Sequence, residues 1–338
     1  MYHGLLRAEL SKQEEVYLAL KEGRRETVCY KAYQDEVYGT QDANYTNRLR
    51  LAYYLLYWKV DDEEAIAWLF GEELKDREEN SFQGIGTVLE VLTFLLKKYN
   101  AGHRYDDLFV RAKNANFDCA CGYDPDMAGI PDLTDNNLLD CIYLCQDMEF
   151  RAVMEPLVEQ WRASVAEWGD SERTTLIRFY SFLGQEAKNE VLYLEQLALA
   201  EQAGKTVDVV RAYSNLIRHY LDMGNNRMAH RYLDEVKKMA ECPEVRRLRL
   251  MGDLLEEAFE VVCGEQGKAG VCCTEAEVQE EEKTKQLWEW ARAELAARTN
   301  RYGNLYQKGI AAAKAMGDSY AGQLEKEYKV WWEDCRIK

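Results

Sequence analysis

One nine-residue block occurs twice, forty residues apart, and that repetition limits what the chain can fold into. Residues 176–184 read Leu-Ile-Arg-Phe-Tyr-Ser-Phe-Leu-Gly and residues 216–224 read Leu-Ile-Arg-His-Tyr-Leu-Asp-Met-Gly. The leucine, isoleucine, arginine, tyrosine and glycine recur at matching positions, and a hydroxyl residue, Thr174 or Ser214, stands two before each leucine. Leucine and tyrosine four apart lie one above the other on a single helical face. The closing glycine enters the left-handed conformation that ends a helix, because it has no Cβ to clash. A second amphipathic segment follows each block. Ala187–Ala203 carries Val191, Leu194, Leu197 and Ala198 on helical spacing, and Met228–Met239 carries Ala229, Leu233 and Val236. The unit is therefore a helix, a glycine turn and a returning helix. One such hairpin cannot bury its own apolar face, so neighbours must stack.

Tyr213, Leu216, Tyr220, Gly224, Ala229 and Leu233 resemble the aromatic, leucine, tyrosine, glycine, alanine and large-residue positions of the tetratricopeptide family, with Val236 in the next site. The resemblance covers about residues 170–240. Ile217 stands where that family has a small residue, and the spacing of forty exceeds the usual repeat of about 34. The resemblance implies an all-α fold, a right-handed α-α superhelix of antiparallel hairpins whose concave wall takes a peptide or protein segment. The architecture is also similar to the repeat portion of bacterial peptide-sensing regulators, although residues 1–60 offer no helix-turn-helix reader. Residues 166–338 are expected to hold the repeats and a capping helix, and residues 1–165 the degenerate N-terminal hairpins.

Composition agrees with helices joined by short connections. Only 4 of 338 residues are proline, and 47% are hydrophobic. About thirteen to sixteen helices and essentially no sheet are expected. Asn47–Lys59 and Asp62–Lys75 read as a hairpin, with Asp61 and Glu64 as a capping box and Ala65 at a close-packing position. Ser11 with Glu14, Asp170 before Ser171, Pro243, and Thr274 with Glu277 supply further start signals, while Pro156 should begin or kink a helix. A net charge of -17, from 43 basic and 60 acidic residues, repels phosphate backbones and anionic lipid. Residues 1–9 lack the uninterrupted apolar core of a signal peptide, and no segment has the roughly 18 apolar residues of a membrane span. The ten cysteines are irregularly spaced. The expectation is a cytoplasmic protein with reduced thiols.

Two stretches break the helical rhythm. Residues 115–134 hold two of the prolines and no helical period, and residues 264–275 read as a surface loop. The first contains the best metal candidates. Cys119 and Cys121, with Cys141 and Cys145, could supply four thiolates to zinc, but a one-residue gap strains a shared tetrahedron. Asp124-Pro125-Asp126 resembles the opening of a calcium loop that lacks an oxygen ligand at Ala128 and ends on Asp135. Cys272-Cys273 reads as two neighbouring thiols, and Glu280-Glu281-Glu282 as a solvated face. No phosphate-cradling loop, nucleophile elbow or paired-histidine zinc helix is present. Gly84-Ile85-Gly86 reads as small-residue packing. The four histidines are scattered, so no cofactor is expected and the chain reads as no enzyme.

The arginines are the candidate ligand groups. Arg178 and Arg218 occupy one repeat position, away from the leucine–tyrosine face, so stacking would align them in the groove. With Ser214 and Thr174 nearby, they suit a partner's free C-terminus or acidic side chain. The resemblance gives Asn215 the role of hydrogen-bonding a ligand backbone, and Thr175 matches it imperfectly in the earlier block. The bland alternative is that each arginine pairs with a carboxylate of a neighbouring helix. A second patch gathers Tyr53, Tyr54, Tyr57 and Trp58 beside Arg48 and Arg50, serving as core or as exposed grip. Trp331 and Trp332 would cap the last hairpin. The leading expectation is a non-enzymatic peptide- or protein-binding module with no nucleic-acid or membrane partner. The alternatives are a metal-binding or small-ligand protein or enzyme working at 115–134, and an oligomerising scaffold.

Overall fold

The computed structural model describes residues 2–81, 84–126, 129–266 and 275–337. The chain forms two compact units, Met1–Ala166 and Glu167–Lys338. The architecture is all-α apart from one short hairpin.

The first unit begins with α1 (Tyr2–Ser11) and α2 (Gln13–Lys21), followed by β1 (Ala32–Asp35) and β2 (Gly39–Asp42). It continues through α3 (Tyr45–Tyr57), α4 (Glu63–Glu79), α5 (Thr87–Lys97), α6 (Asp106–Lys113), α7 (Phe117–Gly122), α8 (Leu138–Asp147) and α9 (Arg151–Ser164). The core forms where α5 packs on both α3 and α4. α5 buries Val88, Leu89, Val91, Leu92 and Leu96, while α3 and α4 bury Leu49, Leu55, Ile66, Leu69 and Phe70. Burying each such side chain contributes about 1.5–3 kcal/mol.

Several local expectations are corrected here. Asp62, not Asp61, caps α4, its Oδ1 accepting from Ala65 N at 3.1 Å. Ser11 closes α1 by donating to Ala8 O instead of opening α2. Of the two roles expected of Pro156, it does not begin a helix but lies inside α9. The stretch 115–134 contains α7 and a 3₁₀ turn at Leu133–Asp135, with Asn116 and Asp132 capping them. Six residues are too few for an amphipathic period, so that helix is announced only by its cap.

The hairpin was not expected either. β1 and β2 pair antiparallel with Ala32 opposite Asp42 and Asp35 opposite Gly39. The turn is organised by Asp35, whose carboxylate accepts from the amides of Val37 and Tyr38. The strands are four residues each, too short to show clear alternation.

The second unit contains α10 (Asp170–Phe182), α11 (Asn189–Ala203), α12 (Thr206–Asp222), α13 (Asn226–Met239) and α14 (Pro243–Arg246). It closes with α15 (Met251–Gln266), α16 (Glu275–Ala297), α17 (Gly303–Ala315) and α18 (Tyr320–Ile337). The helices exceed the expected number partly because α7 and α14 are too short to carry a period. Both repeated glycines act as the sequence requires: Gly184 has φ 72° and Gly224 φ 68°, ending α10 and α12 in the left-handed region. Packing proceeds along the chain, α10 on α11, α11 on α12, α12 on α13 and on α15, then α15 on α16 and α17, and α17 on α18. The core joins Leu216, Ile217 and Tyr220 to Ala229, Leu233 and Val236, then to Leu255, Phe259 and Trp288. Tyr220 stacks on Tyr232 with ring centres 5.7 Å apart. α15 is the central element, with Leu254, Leu255, Ala258, Phe259, Val261 and Val262 all withdrawn from solvent.

α11 departs from its expected pattern. Of the residues placed on its apolar face, Leu197 is buried, whereas Val191, Leu194 and Ala198 are exposed. Among the described residues, no helix is long and apolar enough to cross a membrane.

Candidate functional site

The repeated hydroxyl and arginine positions lead to different surroundings in the two blocks. On α10, Thr174 and Arg178 are exposed, and Thr174 Oγ1 accepts from Gln196 Nε2 at 3.3 Å. On α12, Asn215 is exposed, Ser214 is buried and Arg218 is 38% exposed. The carboxylates of α15 explain the contrast. Arg218 Nη1 donates to Glu260 Oε2 at 2.8 Å, and its Nε lies 3.6 Å from Glu257 Oε1. Ser214 Oγ donates to Glu257 Oε1 at 3.3 Å. Arg218 therefore has an internal counter-charge, as in the bland reading of this residue.

The row continues onto α17. Lys308 Nζ lies 2.5 Å from Glu260 Oε1 and 2.7 Å from Glu256 Oε2. Tyr302 Oη donates to Asp253 Oδ1 at 3.3 Å. A polar seam thus joins α12, α15 and α17. Asp253, Glu256, Glu257 and Glu260 recur three and four residues apart, so they share one face of α15.

Burial acts unequally along the seam. It pushes the Glu257 carboxyl up to about 8, against the pull of the Arg218 charge and the Ser214 hydrogen bond. Burial would also raise Glu260, but hydrogen bonds from Lys308 and Arg218 hold it below the usual carboxylate range. Glu257 is thus largely protonated at neutral pH while Glu260 is ionised. Four acidic side chains, Asp253, Glu256, Glu257 and Glu260, face the two cations Arg218 and Lys308 along the seam.

The aromatic patch of the first unit is core, the first of the two uses its sequence allows, and not an exposed grip. Tyr53, Tyr54 and Tyr57 are buried and Trp58 is half-buried. Tyr53 stacks on Tyr57 and Tyr54 on Trp58, with ring centres 5.4 and 5.1 Å apart, and Arg7 covers Trp58. The neighbouring Arg48 enters a network that the sequence pattern does not announce. Its Nη1 lies 2.5 Å from Asp42 Oδ2 and its Nη2 2.8 Å from Glu73 Oε2. Arg77 Nε lies 3.0 Å from Glu73 Oε1, and Arg77 also pairs with Asp76. These five side chains are withdrawn from solvent. Burial, opposed by both arginines and assisted by Asp76, pushes Glu73 up to about 7. The network ties β2, α3 and α4 together.

The four candidate zinc ligands are not assembled into a site. Cys119, Cys141 and Cys145 are buried and Cys121 is exposed. Among the described residues, no group of three or more histidine, cysteine or acidic side chains is placed to hold a metal. Burial pushes the Cys141 thiol up to about 11 and Cys145 to about 12, and raises Cys119. In the calcium-like stretch, Asp126 pairs with Lys97, whereas Met127 and Ala128 lie outside the described residues. Residues 267–274 of the second loop, including Cys272, Cys273 and the start signal Thr274, also lie outside them, as do the Glu277 and Glu280 side chains. Glu281 pairs with Lys285 on an exposed surface. At the C-terminal helix, Trp331 packs with Tyr306 and Tyr328, while Trp332 is 48% exposed.

Two features escape sequence reasoning for different reasons. The acidic face of α15 was missed although it leaves a signal, four carboxylates on helical spacing within an apolar segment. The buried network pairs Arg48 with carboxylates on either side of it in sequence, Asp42 and the distant Glu73 and Asp76, and no local pattern marks such a pairing. No family model matches the chain, and no curated protein matches it.

Proposed function

We propose that residues 167–338 are a tetratricopeptide-like solenoid, a right-handed superhelical stack of antiparallel hairpins. In this reading it binds an extended peptide or protein segment along the face of α10, α12, α15 and α17 and catalyses no reaction. The observation that carries this is the repeated hairpin: α10 and α12 both end on a left-handed glycine, and each packs on the helix that follows it, α11 and α13. A stack that grows by adding neighbours leaves a continuous face on one side. The exposed Asn215 is suited to holding a ligand's peptide groups. A partner carboxylate reaches Arg218 only by taking the place of Glu260, so backbone recognition comes before acid recognition. The free cysteines suit a protein of the reducing cytoplasm.

An array of extended peptides probed with the intact protein tests this. The wild-type chain is expected to select a subset that the Asn215→Ala, Arg178→Glu double variant no longer retains, with helical circular dichroism unchanged. Undiminished binding by that variant, or no selection by the wild type, refutes the reading.

A further inference from the structure

Helix α11 carries apolar residues on a side that no described residue of its unit covers. Its inward face is made by Asn189, Tyr193, Leu197 and Ala200. On the opposite side, Val191, Leu194 and Ala198 follow one another at three- and four-residue spacing, which aligns them in a single stripe. Val191 is 61% and Leu194 37% exposed, and Leu199 on the shoulder is 46% exposed. Surface helices ordinarily turn such a side to water with charged residues. Contiguous apolar surface rimmed by polar groups marks an interaction site.

The rim has one sign. Glu195 flanks the stripe on one side, and Glu190 and Glu201 flank it on the other. Asn189–Ala203 contains no lysine, arginine or histidine. Arg173 neutralises part of Glu195 at 3.1 Å. Glu190 and Glu201 accept from the neutral tyrosine hydroxyls of Tyr220 and Tyr213.

We propose that this face of α11 docks an amphipathic helix of a partner protein, with an apolar stripe seated on Val191, Leu194 and Ala198 and lysine or arginine rows beside the flanking glutamates. Helix-on-helix docking presents anchors at the same three- and four-residue spacing. The opposite charge on the two rims sets the partner's orientation and excludes acidic helices. The surface lies on the second helix of its hairpin and does not depend on the groove proposed for the repeat.

The probe is a fluorescein-labelled peptide of leucine and lysine, amphipathic as a helix and about fifteen residues long to match α11. Anisotropy is read with the intact chain and with two variants. Val191→Ser with Leu194→Ser removes the apolar stripe and leaves every charge, whereas Glu195→Gln with Glu201→Gln lowers the rim charge and leaves the stripe. Each variant is expected to weaken binding by about tenfold or more, and a leucine–glutamate peptide should not bind. Equal binding to the serine variant overturns the proposal, because the peptide would then be answering to net charge alone. Equal binding of the acidic peptide overturns it as well. A mass in sedimentation that doubles with concentration, and returns to the monomer value in the serine variant, would assign the face to a second copy of the chain and equally overturn it. If the serine variant loses helical signal, the glutamine variant decides between binding and its refutation, since it removes no apolar side chain.

Discussion

Glu257 holds a proton at neutral pH because its site is dry, and replacing it with glutamine should abolish one component of the protein's pH dependence. The residue is 3% exposed, and burial raises its carboxyl from 4.5 to about 8. The folded form therefore binds a proton that the unfolded chain has already lost. A raised value of this kind contributes stability that is complete below the unfolded value and lost as pH climbs through the folded one. Within that window each pH unit costs about 1.4 kcal/mol. Between pH 6 and pH 8 the second unit should lose about 2 kcal/mol from this group. Glu257→Gln keeps an acceptor for Ser214 Oγ and cannot ionise, so its slope should be lower by that amount. The variant should match the wild type below the unfolded value of 4.5, exceed it by about 2 kcal/mol at pH 6 and by about 4 kcal/mol at pH 8. Hydrogen–deuterium exchange of the amides of Leu254–Val262, corrected for intrinsic rates, reads this locally on the buried turns of α15. Parallel profiles for the two proteins would show that Glu257 does not carry the proton, and would refute the assignment.

Other consequences of the structure can be checked in the same preparations. Arg48→Met leaves Asp42, Glu73 and Asp76 facing Arg77 alone in a dry interior, and should destabilise the first unit by about 3–5 kcal/mol in urea titration. A loss under about 1 kcal/mol would mean that water enters the network. Gly224→Ala meets no atom within 4 Å, so its cost is the left-handed backbone alone, about 1 kcal/mol in thermal unfolding. No change would mean that the turn relaxes. With a thiol reagent under native conditions, the exposed Cys121, Cys242 and Cys335 should be modified, whereas Cys119, Cys141 and Cys145 should be modified only on unfolding. Native modification of Cys145 would contradict its burial.

The sequence disclosed local structure well where a helix was long and its glycine stop unambiguous. Gly184 and Gly224 end their helices in the conformation expected of them, and Ala229, Leu233 and Val236 enter the core together. It was less informative where length or partner choice decides the outcome. The strands beside Asp35 and the short α7 are held by side-chain caps and turns, which leave little trace in hydrophobic spacing. Val191 and Leu194 show the same limit from the other direction. Their spacing is helical, but spacing does not say which side of an all-round apolar helix faces its neighbours, and here Leu197 and Tyr193 face inward instead. Position in a repeat was likewise a poor guide to charge. The environment of Arg218 is set by α15, thirty and more residues further along the chain.

That environment changes what the candidate groove can recognise. Two aligned guanidiniums would make an anion clamp, but Glu260 already occupies Arg218 and is itself held by Lys308. An arriving carboxylate would have to replace a charge-assisted hydrogen bond with one of similar strength while leaving Glu260 with Lys308, so little net affinity would follow. The neighbouring Asn215 is exposed, and meeting a peptide group does not require it to break an internal ion pair. An amide reads the chain of any extended segment, whatever its side chains. The seam of Arg218, Glu260 and Lys308 is therefore better suited to fixing the register of α12, α15 and α17 than to attracting an acid. Under the proposed reading, selectivity among segments would come from side-chain fit along the face and not from the Arg218 position repeated in the sequence.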